Sequence, residues 1–216
     1  MDREEEIRRI LTERGIEILL HFTQLDNLQS ILMHGLRPRD ELDETARCND
    51  EHRLDRHTDT VSMSVHHPND AMFFKYRNKL RRENPLGGWC VLAVTATVLL
   101  EQDALFCLTN AASSVITRMT EDALRTPASF RAMFEQIPGH ASREDQHLNL
   151  NDPTDVQGEI LVRGTIPPDR IFGIVFTSEA AQAQYQTVVG NRQTWVHAEN
   201  QIYLSRRDYQ RIHYNG

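Results

Sequence analysis

The sequence predicts an α+β protein, one domain over residues 1–216, with a mainly β core flanked by helices. Three observations predict it. Short apolar runs rich in β-branched residues recur at 16–22, 61–65, 89–98, 158–162 and 171–176, lengths that suit strands. Amphipathic segments carrying helix start and stop signals lie between them. No repeat, linker or shift of composition divides the 216 residues, of which 39% are hydrophobic. A chain of that length buries a sizeable core without disulfides or metals.

Each element has its own justification. Residues 2–14 pass from acidic to basic, with Ile7, Ile10 and Leu11 at helical spacing, and Gly15 is placed to end that helix. After the strand at 16–22, Asp26 is placed to cap a helix over 27–34, whose Leu28, Ile31 and Leu32 share a face and whose stop is Gly35. Residues 37–60 are polar and charged and read as a long loop, a kind of segment that is usually functional inside a compact domain. Ser alternates with apolar residues over 61–65, as on a half-buried strand. His67-Pro68-Asn69-Asp70 forms a turn and N-cap before a helix at 71–80. Gly87 and Gly88 precede the strand at 89–98. Short helices are expected near 111–118 and 128–136, and a polar loop over 138–157. The strands at 158–162 and 171–176, a helix near 178–188 and a strand at 201–204 complete the chain.

Composition excludes several classes. Gly (10) and Pro (8) are too few for collagen-like or low-complexity chains. The start MDREEEIRRI is charged where a signal peptide is apolar, and the apolar stretch at 91–100 is too short to span a bilayer. Three widely spaced cysteines, Cys48, Cys90 and Cys107, suggest neither a disulfide framework nor a CxxC metal site, so a cytoplasmic setting is expected. A net charge of −7 argues against a protein that coats nucleic acid. The charge is segregated, however. Residues 71–82 carry Lys75, Arg77, Lys79, Arg81 and Arg82 and no acid. The basic residues are nearly all arginine, which suits bidentate phosphate contacts and equally reflects codon usage in a GC-rich genome.

No P-loop, GxGxxG, HExxH or GxSxG signature is present. No metal site is expected either. His66 and His67 are adjacent, and adjacent strand residues point to opposite faces. Three segments place polar groups where a core is apolar. His21 and Thr23 sit two apart at a strand end and face one side, able to hold a ribose or an amide; read alone, the pair also fits a structural histidine. Residues 49–57 form a charged loop leading into Val61-Ser62-Met63-Ser64, then Asn69, Met72 and Phe73; read alone, this fits a solvated loop and an amphipathic helix. In Gln157-Gly158-Glu159-Ile160-Leu161-Val162 a lone carboxylate opens an apolar strand, a costly placement unless it is paired or functional. Glu159 is therefore the first catalytic candidate.

In this order, the three segments resemble the DarT-type DNA ADP-ribosyltransferases, toxins of bacterial toxin–antitoxin pairs. The resemblance rests on His21-Phe22-Thr23, Asp26-Asn27-Leu28, Gly35-Leu36, Arg53-Leu54-Asp55, Val61-Ser62-Met63-Ser64, Pro68-Asn69 with Met72-Phe73, Gln157 to Val162, and Ile166-Pro167-Pro168. It covers the chain from about residue 16 and is nearest the thymidine-modifying branch. His67, Asp70 and Gly158 depart from the family pattern, which bears on base preference more than on the reaction.

The resemblance implies an ADP-ribosyltransferase-like fold with a mixed or antiparallel β core. It also implies NAD⁺ as substrate, no metal, and transfer of ADP-ribose to a base, thymine above all, of single-stranded DNA. Glu159 would be catalytic, with Arg53 the catalytic arginine, Arg56 second and Arg47 third. NAD⁺ would be held by His21, Thr23, Asn27, Gly35, Leu36, Arg53, Met72 and Phe73. DNA would follow Arg56, Lys75, Arg77, Lys79 and Arg81 along a channel formed by the 71–82 helix and the 37–60 loop. A macrodomain antitoxin would be the partner of a monomeric toxin. The competing readings are transfer to protein or RNA, hydrolysis of NAD⁺, and a binding module that no longer turns over.

Overall fold

A computed structural model describes residues 2–42, 46, 55–83, 88–197 and 205–214, apart from the side chains of 80, 81 and 83. Its centre is a seven-stranded sheet. The strands are β1 (Ile18–Gln24), β2 (Thr60–Val65), β3 (Trp89–Thr95), β4 (Ala104–Cys107), β5 (Glu159–Arg163), β6 (Ile171–Phe176) and β7 (Gln193–Val196), in the order β4-β5-β2-β1-β3-β6-β7. All neighbours run antiparallel except β6 and β7.

The eight helices among the described residues are α1 (Arg3–Arg14), α2 (Leu28–His34), α3 (Asp70–Glu83), α4 (Val98–Glu101), α5 (Glu121–Leu124), α6 (Pro127–Ala132), α7 (Glu179–Val189) and α8 (Arg206–Tyr214). One face of the sheet packs Leu19, Met63, Leu92 and Ile160 against the apolar sides of α1, α2 and α6. The other packs Leu20, Val91 and Val175 against Phe73 of α3. Burial of each large side chain contributes about 1.5–3 kcal/mol. Among the described residues no helix is long and apolar enough to cross a membrane.

One irregularity of the sheet shapes the site. β1 pairs along its whole length with β3, but with β2 only at Leu19↔Val65 and Leu20↔Ser64. β2 instead pairs over Thr60 to Met63 with β5. From His21 onward β1 and β2 therefore diverge, and a cleft opens between them.

The expected order of elements is largely present, with corrections. The helix after β1 begins as a 3-10 turn, Leu25–Asn27, and Asp26 makes no capping bond. β3 stops at Thr95, because after Ala96 the chain turns, with the Leu99 and Leu100 N–H groups bonded to the Ala96 and Thr97 carbonyls, and Val98 opens α4. Residues 111–118 are turns rather than a helix; Ser113 Oγ accepts the Ile116 N–H and stands in for helical bonding. β4, β7 and α8 have no counterpart in the sequence reading, and the strand expected at 201–204 lies outside the described residues. The adjacent histidines also differ from expectation. β2 ends at Val65, His66 takes φ +63°, and the His66 and His67 rings come together at 4.2 Å between centroids.

Candidate active site

The diverging strands open into a cavity of about 430 Å³, within the usual range for small-molecule sites. Its lining draws on β1, α2 and the chain after it, β2, α3 and the start of β5. Glu159 opens β5, 9% exposed, at the end where the β5–β2 pairing stops. Donors from two other segments orient it. Oε1 accepts from the Asn69 and Asn110 side-chain amides at 3.3 and 3.4 Å, and Oε2 from the Ala111 N–H at 3.2 Å. Several donors converging on one carboxylate hold it in one orientation.

Asn69 is buried and has two tasks. Its carbonyl oxygen accepts the Met72 N–H in the first turn of α3, while its amide reaches Glu159. The Asn69 N–H is itself held by Ser64 Oγ at 3.2 Å. The helix cap and the position of the carboxylate are thus one structure.

On the opposite wall His21 Nδ1 donates to the Ser62 carbonyl at 2.9 Å across the diverging strands. A carbonyl only accepts, so this bond fixes the tautomer and gives Nε2 the lone pair in the neutral ring. Thr23 Oγ1 accepts from the Asn27 amide at 3.0 Å. Gly35 has φ +90°, and a Cβ there would lie 2.6 Å from the Ile166 carbonyl, so only glycine fits. Leu36 and Ile166 exchange both backbone hydrogen bonds, at 2.9 and 3.0 Å, which seats the chain carrying Arg37 and Arg39 on the rim.

The structure brings His21, Thr23, Asn27, Gly35, Leu36, Met72, Lys75 and Glu159 around this one cavity. Phe73 is a correction. It is 1% exposed, packed between Phe22 and Trp89 on the far side of α3, and does not reach the cavity. The expected cationic face of α3 also divides. Lys75 and Tyr76 line the cavity and Lys79 follows one turn on, whereas Arg77 lies over the Phe73 and Trp89 rings at 5.0 and 5.9 Å. Arg56 is exposed, with φ +64°, and is not a lining residue. Arg53, Arg47 and the Arg81 side chain lie outside the described residues. The sequence reading missed Asn69 and Asn110 as carboxylate holders, and Arg37, Arg39, Asp55 and Tyr76 as lining residues. An Asn at a helix start reads first as a cap, and nothing in its spacing ties it to a carboxylate 90 residues on.

A buried carboxylate facing a tautomer-fixed imidazole, in a cleft rimmed by two arginines, suits a ligand that carries both sugar hydroxyls and phosphates. The comparisons agree. Residues 20–206 match the family model described as ssDNA thymidine ADP-ribosyltransferase, DarT. The chain belongs to the DarT family. By family it is an NAD⁺-dependent ADP-ribosyltransferase that modifies thymidine in single-stranded DNA. Three solved structures share the DarT fold. Thermus sp. 2.9 DarT in complex with NAD⁺ is 15% identical, with a TM-score of 0.54 over 87% of this chain and 98% of that one. The same protein in complex with ADP-ribosylated ssDNA is 16% identical, with a TM-score of 0.58 over 88% and 97%. Thermosipho africanus DarTG in complex with ADP-ribose is 16% identical, with a TM-score of 0.55 over 83% of this chain and 50% of that one. A search of the curated proteins gives no significant match.

Proposed function

We propose that Glu159 and His21 divide the ADP-ribosyl transfer between them, and that the acceptor is a thymine imide nitrogen. The observation that carries this reading is the Glu159 carboxylate, aimed into the cleft by Asn69, Asn110 and the Ala111 N–H. The bond from the ribose anomeric carbon to the nicotinamide nitrogen breaks, and its electron pair leaves with neutral nicotinamide. Positive charge develops at that carbon, as in glycoside cleavage. Glu159 stabilises it electrostatically and accepts a hydrogen bond from a ribose hydroxyl. His21 Nε2 takes a second ribose hydroxyl, Thr23 and Asn27 flank the nicotinamide side, and Met72 packs against the ring. Arg37 and Arg39 stand where the pyrophosphate would lie.

The thymine imide gives up its proton as its nitrogen closes on the anomeric carbon, so the products are ADP-ribosyl-DNA, nicotinamide and a proton. A guanidinium next to the base stabilises the developing anion. Arg53 is assigned that role on its place in the family motif. Lys75, Tyr76 and Lys79 form the path for the strand, with phosphates on the amines and a base on the ring. The protein acts as a monomeric toxin in the cytoplasm, paired with a macrodomain antitoxin that removes the modification.

Mass spectrometry of defined oligonucleotides after incubation with NAD⁺ tests this proposal. A mass increase is expected on thymidine-containing strands with the wild type and not with Glu159→Ala. No increase on any oligonucleotide overturns it. Rapid nicotinamide release without DNA would instead make the chain a hydrolase of NAD⁺.

A further inference from the structure

The corner between β2 and α3 gathers a second set of chemistry-bearing side chains outside the cavity. His66, His67 and Asp152 offer one ligand atom each, all within 4.8 Å of one another. His66 Nδ1 lies 2.5 Å and His67 Nε2 3.6 Å from the same oxygen, Asp152 Oδ1. The Asp152 and His67 side chains are buried and that of His66 is partly open to solvent.

Three features go beyond the hydrogen bond between His66 and Asp152. First, an extended strand would send consecutive rings to opposite faces. Here His66 is held at φ +63°, a conformation that disfavours any side chain with a Cβ, and the turn folds both rings onto one carboxylate. Backbone outliers of this kind concentrate at functional sites. Second, the His67–Asp152 distance of 3.6 Å exceeds a hydrogen bond. It is close to the spacing of about 3.4 Å between two ligands of a tetrahedral centre with bonds of about 2.0–2.1 Å; the His66–Asp152 contact at 2.5 Å is a hydrogen bond that the ion would replace, its two atoms opening to the same spacing. Third, the remaining carboxylate oxygen of Asp152 accepts the Asn149 N–H at 2.8 Å, as the outer partner of a ligating carboxylate does. Tyr209 of α8 packs against both rings, at 6.5 Å from His66 and 5.1 Å from His67.

We propose that His66, His67 and Asp152 form a Zn²⁺ site with a structural role, separate from the transfer reaction. Two imidazoles and a carboxylate are a borderline donor set that suits zinc, and a water fills the fourth position from the open side of His66. The ion ties the polar loop before β5 to the β2–α3 corner, two residues before Asn69. It so steadies the residue that holds Glu159.

The test is a titration of the purified, chelator-treated chain with Zn²⁺ alone. It is read by competition with a chromophoric chelator and by thermal unfolding. One ion per chain and a rise in Tm are expected. His66→Asn is the informative variant, because asparagine tolerates positive φ and position 66 is part-exposed. It is expected to weaken binding about tenfold or more and to abolish the Tm rise. The exposed His140, changed to Asn, is expected to keep both. His67→Gln is the second variant should His66→Asn fail to fold by circular dichroism. No saturable binding in the wild type, no Tm rise at saturation, or binding that survives both His66→Asn and His67→Gln overturns the proposal.

Discussion

Asp152 and Glu159 are two buried carboxylates at opposite ends of one short segment, 2% and 9% exposed, and they are held in opposite ways. Asp152 faces two imidazoles. Burial pushes its carboxyl up, but the His66 hydrogen bond, the His66 and His67 charges and the Asn149 N–H together hold it below the usual carboxylate range. Glu159 accepts hydrogen bonds from two side-chain amides and a backbone N–H, which orient it toward the cleft. A carboxylate gathered with two imidazoles at a corner of the fold is a structural tie. One oriented by amide dipoles at the wall of an open cleft is placed to meet a ligand, as the proposed transfer requires. Burial alone does not distinguish them; the chemistry of the partners does.

The sharpest way to break this contrast is to neutralise each acid in turn. Glu159→Gln keeps the shape and removes the charge, and is expected to lower the rate of DNA modification about a thousandfold while moving the Tm little. Asp152→Asn is expected to do the reverse. It leaves the buried His67 and the half-buried His66 badly paired, costs about 2 kcal/mol of stability and lowers the rate far less than Glu159→Gln. Both are read by single-turnover kinetics and thermal unfolding. A Glu159→Gln enzyme that works normally, or an Asp152→Asn protein as stable as the wild type, removes the distinction.

Asn69 sharpens it further. Asn69→Ala removes both the α3 cap and one holder of Glu159, so a loss of about 1 kcal/mol in stability and a fall of about tenfold in kcat are expected together. Asn69→Asp restores an acceptor for the cap but places a second carboxylate beside Glu159, 3.3 Å away through the present amide. Stability is expected to recover while kcat falls below that of Asn69→Ala. If the two variants lose activity in proportion to stability, Asn69 acts only as a cap.

α3 allows a smaller test of the same kind, between a cation in the site and one in the core. Lys75→Glu is expected to weaken binding of single-stranded DNA several-fold at low salt and less at high salt, with Tm unchanged. Arg77→Glu removes a cation packed on the Phe73 and Trp89 rings, so its main expected effect is a loss of about 1 kcal/mol in stability. Equal effects of the two on DNA binding would restore the undivided cationic face that the sequence suggests.

Much of this was legible in the residues because local rules carried it. Ile7, Ile10 and Leu11 at helical spacing, Gly15 as a stop (φ +63°), and the apolar runs after Glu159 and Ile171 each lead directly to α1, β5 and β6. Glu159 stood out because a charge opening an apolar run is expensive. The failures share a cause: they turn on contacts distant in sequence. β4 is four apolar residues that become a strand only beside β5, where Cys107 faces Glu159. Phe73 and Met72 are neighbours in sequence but lie on different sides of α3, and only packing against Trp89 decides which one meets the cavity. The histidine pair was misread because one residue at φ +63° suspends the alternation that strand reasoning assumes.

The smallest expected effect concerns Cys107, and it bears on whether the sheet beside Glu159 is closed to water. Cys107 is the ladder partner of Glu159 on β4. Burial, with the charges of Glu159 and Asp55 added, pushes its thiol up to about 12. Burial likewise pushes the Cys90 thiol up. Only the thiolate reacts with alkylating reagents, so at pH 8 neither residue is expected to label in the native chain, while both label in denaturant. Glu159→Gln removes one of the opposing charges but leaves the burial, the largest cause, in place, so Cys107 is expected to stay protected in that variant too. Peptide mapping after iodoacetamide treatment reads this directly. Native labelling of Cys107 at the rate of a free thiol would mean that water reaches the strand beside Glu159. The carboxylate would then be solvated from the β4 side, and Glu159 would no longer be a buried carboxylate comparable with Asp152.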